Sequence, residues 1–216
     1  MISYKWIILI VSFFTLFMTY GILFSIGLYF KPLETEFNWS RTQTSIAISI
    51  SMIVFGIFQP IVGRLIDKLG PKKVIASSVF ILGLSLSLMK YISNLWEFYL
   101  VFGVLAGLGF SGSTVLSNSV VVSGWFTNRR GKALGILSAG VNVGQMFILP
   151  ISMYVILSYG WRFSFSLIGG ILLLVILPLI LLFIRNNPHT DNKLNSDSQI
   201  HGNKQDITYF LKTKPF

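Results

Sequence analysis

Apolar residues in this chain run in long blocks with few polar interruptions. About 20 apolar residues carry a helix across the hydrocarbon core of a bilayer. Six stretches meet that length, over roughly residues 6–30, 43–63, 74–92, 97–123, 132–158 and 163–184. The expected connections are short: Lys31 to Arg41, Arg64 to Lys73, a tight turn at Ser93-Asn94, Gly124 to Gly131, and Tyr159 to Arg162. Residues 185–216 change character to a polar run rich in Asn, Ser and Asp. They read as a solvated cytoplasmic linker after a bundle over residues 1–184. The expected fold class is an all-α membrane protein with six transmembrane helices.

Composition agrees. Hydrophobic residues make up 53% of the 216, charged residues 11%, and the mean hydropathy is +0.74. Soluble domains carry roughly 25% charged residues, so this chain lacks the means to cover a water-facing surface. The first apolar block, Trp6 to Phe30, is too long for the ~7–15-residue core of a signal peptide. It reads as a retained helix. With no cysteine, a disulfide framework and a thiolate metal site are excluded.

The formal net charge is +10. The cations sit in clusters between apolar runs, which fits membrane topology and gives no nucleic-acid-reading face. One side of the membrane would carry thirteen: Lys5, Arg64, Lys68, Lys72, Lys73, Arg129, Arg130, Lys132, Arg185 and four in the tail. The other would carry four: Lys31, Arg41, Lys90 and Arg162. Positive residues favour the cytoplasmic side, so both termini are expected there, in an inner or plasma membrane. Trp6, Trp39, Trp96, Trp125 and Trp161 all fall at expected span ends, where indole rings anchor at headgroups.

Within the spans, small and polar residues recur at steps of three and four, so each set shares one helical face. The second span has Ser45, Ser49, Met52, Gly56, Gln59 and Gly63. The fourth has Gly103, Gly107, Ser111, Thr114 and Asn118. The fifth has Gly131, Gly135, Ser138, Asn142 and Gln145. For glycine and serine, tight helix packing is the leading reading. For Asn118, Asn142 and Gln145, packing and cavity lining weigh equally, because an amide in hydrocarbon is costly unless paired or hydrated. Gln59, beside Pro60, is expected to satisfy backbone groups that the proline frees. No mid-span carboxylate, His or Arg offers a proton relay, and both histidines, His189 and His201, lie in the tail. No phosphate-binding loop, zinc spacing or activated nucleophile is present, so neither an enzyme nor a cofactor or metal is expected. No ring of charge or filter-like loop supports a channel.

Two stretches carry a family resemblance. Residues 63–73, Gly-Arg-Leu-Ile-Asp-Lys-Leu-Gly-Pro-Lys-Lys, resemble the signature loop between the second and third helices of the major facilitator superfamily. Gly63, Arg64, Asp67, Gly70, Lys72 and Lys73 stand at its positions. Gly63 is expected to allow close approach at the helix end and Gly70 to make a turn at positive φ. Residues 125–144, from Trp125-Phe126 through Arg129-Arg130-Gly131 to Gly140 and Gly144, resemble the monocarboxylate transporter and oxalate:formate antiporter group. So do residues 37–41 and 103–109.

The resemblance implies a twelve-helix fold of two six-helix bundles, with this chain as the first half. Residues 206–216 resemble the segment before the seventh helix, so the sequence reads as part of a longer protein. It further implies secondary transport of small organic anions by alternating access. Tyr20, Asn118, Asn142 and Gln145 are the cavity candidates in this half, with Asp67 and Arg130 at a cytoplasmic gate. The implied partners are an organic anion, the lipid bilayer and a second bundle, from the same chain or another subunit. The competing reading is a non-transporting half that acts only by pairing. Two departures shape the expectation. Gly103 stands where proton-coupled drug exporters carry Arg. Phe24 stands where animal monocarboxylate transporters carry a substrate-linked Lys, which argues against proton–lactate cotransport through that residue and leaves the bacterial-type antiporter branch open.

Overall fold

A computed structural model describes residues 4–126 and 129–185 of the chain. The tail expected to be a linker, with His189 and His201, lies outside the described residues apart from Arg185, as do Thr127 and Asn128. Six helical spans follow one another: α1 Tyr4–Phe37, α2 Arg41–Leu69, α3 Pro71–Tyr91, α4 Leu95–Trp125, α5 Arg130–Tyr159 and α6 Trp161–Phe183.

The spans occupy the expected places but extend beyond the apolar stretches. Residues 31–37 were expected in a connection; they form a further helical segment, Phe30–Phe37, after a 3₁₀ turn over Ile26–Tyr29. The expected basic loop over residues 64–73 is also helical, broken only at Gly70. Membrane thickness sets the length of an apolar run but not of a helix. Polar helix ends therefore project past the stretch that hydropathy detects.

Sequence explains the ends. Ser40 caps α2, accepting from Gln43 N at 3.3 Å while Gln43 Oε1 accepts from Ser40 N at 2.8 Å, a reciprocal capping box. Asn94 and Glu97 form the same device at the start of α4. Glu97 Oε2 accepts from Ser93 N at 2.7 Å. Gly70 (φ 82°, ψ 152°) and Gly160 (φ 85°, ψ 161°) make the α2–α3 and α5–α6 turns in one shared conformation. That region of backbone space is essentially reserved for glycine.

The same parallel extends to packing. α1 packs on α5, α2 on α4, and α3 on α6. Exchanging α1, α2 and α3 for α4, α5 and α6 maps this set of pairs onto itself, the pattern of a three-plus-three repeat. α1 and α5 run parallel: a Cβ on Gly140 would stand 2.8 Å from Phe13 O, and one on Gly144 would overlap Phe17 O. α2 and α4 run parallel likewise, with Gly107 against Ser51 O at 2.9 Å. α3 and α6 run antiparallel, with Gly83 and Gly169 each set against the other's carbonyl.

The antiparallel pair is pinned at both ends by a cation on a helix C-terminus. Lys72, opening α3, donates from Nζ to Leu181 O near the end of α6 at 2.7 Å. Arg162, opening α6, donates from Nε to Lys90 O and from Nη2 to Ile92 O at the end of α3, at 3.2 and 3.4 Å. Both contacts suit the negative pole of a helix dipole. Arg162 also pairs with Glu36, whose Oε2 accepts from Trp161 Nε1 at 2.6 Å. Trp161 is therefore buried, at a span end as expected but packed inward.

Candidate functional site

The small-residue stripes separate into two kinds. On α4, Gly103 and Gly107 seat against α2, so close packing is the correct reading there. On α2 and α5 the stripes have no such partner among the described residues. A Cβ on Gly56, Gly63, Gly131 or Gly135 would meet nothing within 4 Å. Ser49, Met52, Ser138 and Asn142 on the same faces are exposed. Of each span's most apolar stretch, 17% is buried in α2 and 22% in α5, against 56% in α1 and 61% in α4. The expected close approach at Gly63 thus has no partner among the described residues.

α4 is interrupted halfway. Ser113 (φ −98°, ψ 37°) leaves the helix, and Thr114 (φ −81°, ψ 168°) caps its second segment, Val115–Trp125, accepting from Ser117 N at 3.3 Å. The apolar stretch over residues 97–123 predicts a continuous span, which the structure corrects. The signal was present in Gly109-Phe110-Ser111-Gly112-Ser113-Thr114, where small residues and hydroxyls favour local turns over helix. Gln59 supports the break: its Nε2 donates 3.3 Å to Ser111 O across the α2–α4 contact. It therefore serves the backbone of α4, and the expectation that it would serve backbone freed by Pro60 is corrected.

Tyr20 on α1, Val115 on α4 and Val141 on α5 pack against one apolar cluster that includes Leu16 and Leu137. Here the three helices converge. Asn118, one turn past the cap, is fully buried. Its Nδ2 donates to Thr114 O at 2.9 Å, and its Oδ1 has no partner among the described residues. Asn142 is exposed and Gln145 half-buried on the open face of α5. The structure thus gathers Tyr20 and Asn118 near the break and leaves Asn142 and Gln145 on a face this bundle does not cover. Ser113, Thr114 and Ser117 join the site through the break and its cap, which helical spacing alone does not signal.

At the end of the bundle that holds the signature residues, Gly70 makes the expected positive-φ turn and Lys72 reaches α6. Arg64, Asp67 and Lys73 are exposed, and Asp67 makes no ion pair among the described residues. Arg129 holds a left-handed backbone (φ 64°) as the residue before α5, with Arg130 opening the helix and Gly131 facing open space.

The chain is similar to known proteins over most of its length. The pattern of the Major Facilitator Superfamily matches residues 8–216. An uncharacterized MFS-type transporter of Bacillus subtilis (strain 168), YcxA, is 28% identical over 194 residues, covering 86% of this chain and 45% of the relative. Human monocarboxylate transporter 6 is 30% identical over 172 residues, 79% of this chain and 34% of the relative. Bovine monocarboxylate transporter 13 is 25% identical over 214 residues, 99% of this chain and 48% of the relative. The chain spans less than half the length of each.

Proposed function

The chain belongs to the major facilitator superfamily, and on that premise we propose that it forms the first six-helix bundle of a secondary transporter of small organic anions. The observation that carries the reading is the uncovered polar face on α2 and on α5. The α2 hydroxyls of Ser45 and Ser49 are bonded to Arg41 O and Ser45 O within their own helix. Asn142 facing lipid tails would forfeit hydrogen bonds, and the open glycines would forfeit packing. A second bundle around a water-filled cavity supplies both. That bundle comes from the same polypeptide or another subunit, and alternating access follows from rocking one bundle against the other.

Substrate would lie between the bundles, reached by Tyr20, Asn118, Asn142 and Gln145. The capped start of the half-helix at Val115 favours negative charge nearby. The names of the monocarboxylate transporter relatives support a small carboxylate as substrate. Both termini would be cytoplasmic in a cell membrane, since the cation-rich end of the bundle holds Lys72, Arg129 and Arg185. Asp67 and Arg130, at that end, would meet the second bundle when the site faces outward.

Proteoliposomes holding the assembled protein and loaded with oxalate, formate or lactate should show counterflow of the labelled anion. Asp67→Lys should slow counterflow more than it weakens anion binding. Counterflow with none of these anions would sink the transport reading, and equal loss of rate and binding would sink the gate.

A further inference from the structure

We propose that the groove between α1 and α5 is a site for one anionic phospholipid. At the cation-rich end a cavity of about 190 Å³ is lined by Lys5, Arg129 and Lys132, with Trp6 and Phe126 set edge to face at 5.7 Å. Among the described residues its lining includes no carboxylate. Three cations around one small cavity repel one another unless an anion joins them. α5 starts at this cavity, and its N-cap residue Arg129 offers no side-chain acceptor to the first-turn amides. The positive pole of α5 adds to the attraction.

A second, wholly apolar hollow of about 380 Å³ continues from the first, sharing Trp6 and Ile136 and reaching Ile10, Phe13 and Phe14. A cationic mouth that opens into an apolar groove matches an amphiphile with a phosphate at one end and an acyl chain at the other. A free phosphate would leave the groove unused. Trp6 stands where the two hollows meet, the depth at which an indole ring sits between headgroup and hydrocarbon.

The test uses the purified chain, delipidated in detergent, with phosphatidylglycerol added and bound lipid counted by native mass spectrometry. Phosphatidylglycerol should bind in preference to phosphatidylcholine, at one copy. Lys5→Gln and Lys132→Gln should each weaken binding about fivefold. Lys68→Gln, an exposed cation on α2 outside the cavity, should leave it unchanged. Circular dichroism checks that each variant keeps its helices. Equal losses for all three variants, no preference for phosphatidylglycerol, or full displacement by glycerol phosphate would overturn the proposal. In native membranes, Phe14→benzoylphenylalanine should crosslink to lipid on illumination. Crosslinking to protein instead would assign the groove to a second bundle or another copy of the chain and overturn it as well.

Discussion

Replacing Gly144 with alanine tests the α1–α5 seam. The added methyl would overlap Phe17 O and lie 2.8 Å from the Phe17 carbonyl carbon and Cα. Both are backbone atoms within a helix, so no rotamer change relieves the overlap and the helices must part. Overpacking of this kind costs about 1–3 kcal/mol, and a rigid backbone obstacle belongs to the upper part of that range. Alanine recovers about 0.5–1 kcal/mol of helix stability over glycine, leaving a net loss of about 1–2 kcal/mol. Gly135→Ala is the matched control nine residues away, since its methyl would enter open space. It should gain about 0.5–1 kcal/mol. Thermal unfolding of the two variants in detergent should differ by about 3–12 °C, at roughly 2–4 °C per kcal/mol for a chain of this size. Equal midpoints would refute the close approach of α5 to α1.

Two further substitutions test the turns and the break. Gly160→Ala should lower stability by about 1–3 kcal/mol in the same assay, because φ 85° with ψ 161° is strained for any residue with a Cβ. Gly170→Ala, with open space and ordinary helical backbone, should not. Gln59→Leu should cost about 0.6–1.7 kcal/mol by leaving Ser111 O without its donor inside the membrane. Hydrogen exchange should rise around Ser113 and Thr114 in that variant, and unchanged exchange would show that Gln59 does not hold the break.

The six spans were legible because apolar length is a strong, local signal, and Gly70 was legible because its neighbours match a known stretch. The stripes were only half legible. Spacing of three and four places Ser49 with Gly56, and Gly135 with Asn142, on one face. It does not say whether the face meets a helix of the same chain. The α4 stripe has the same spacing and is filled by α2; the stripes on α2 and α5 stay open. Spacing is a property of one helix, while occupancy depends on how six helices are arranged. The interruption at Ser113 was masked for a related reason, since it is stabilised by Thr114 capping Ser117 N and by Gln59 from another helix. Asn118 was singled out by its cost in hydrocarbon, and the packed structure buries it one turn past a cap.

These 216 residues hold no cysteine, so within them a spin label on one introduced cysteine reports from a single site. The most direct test of a two-bundle assembly compares labels at Ser49→Cys and Asn142→Cys with one at Leu174→Cys, an apolar position that is 79% exposed on α6. Power saturation in native membranes with oxygen and with a water-soluble nickel chelate separates lipid from protein and from water. Ser49→Cys and Asn142→Cys should show low oxygen access, with nickel access wherever they line the cavity, while Leu174→Cys shows the high oxygen access of lipid. High oxygen access at all three would place the α2 and α5 faces in lipid and contradict the account.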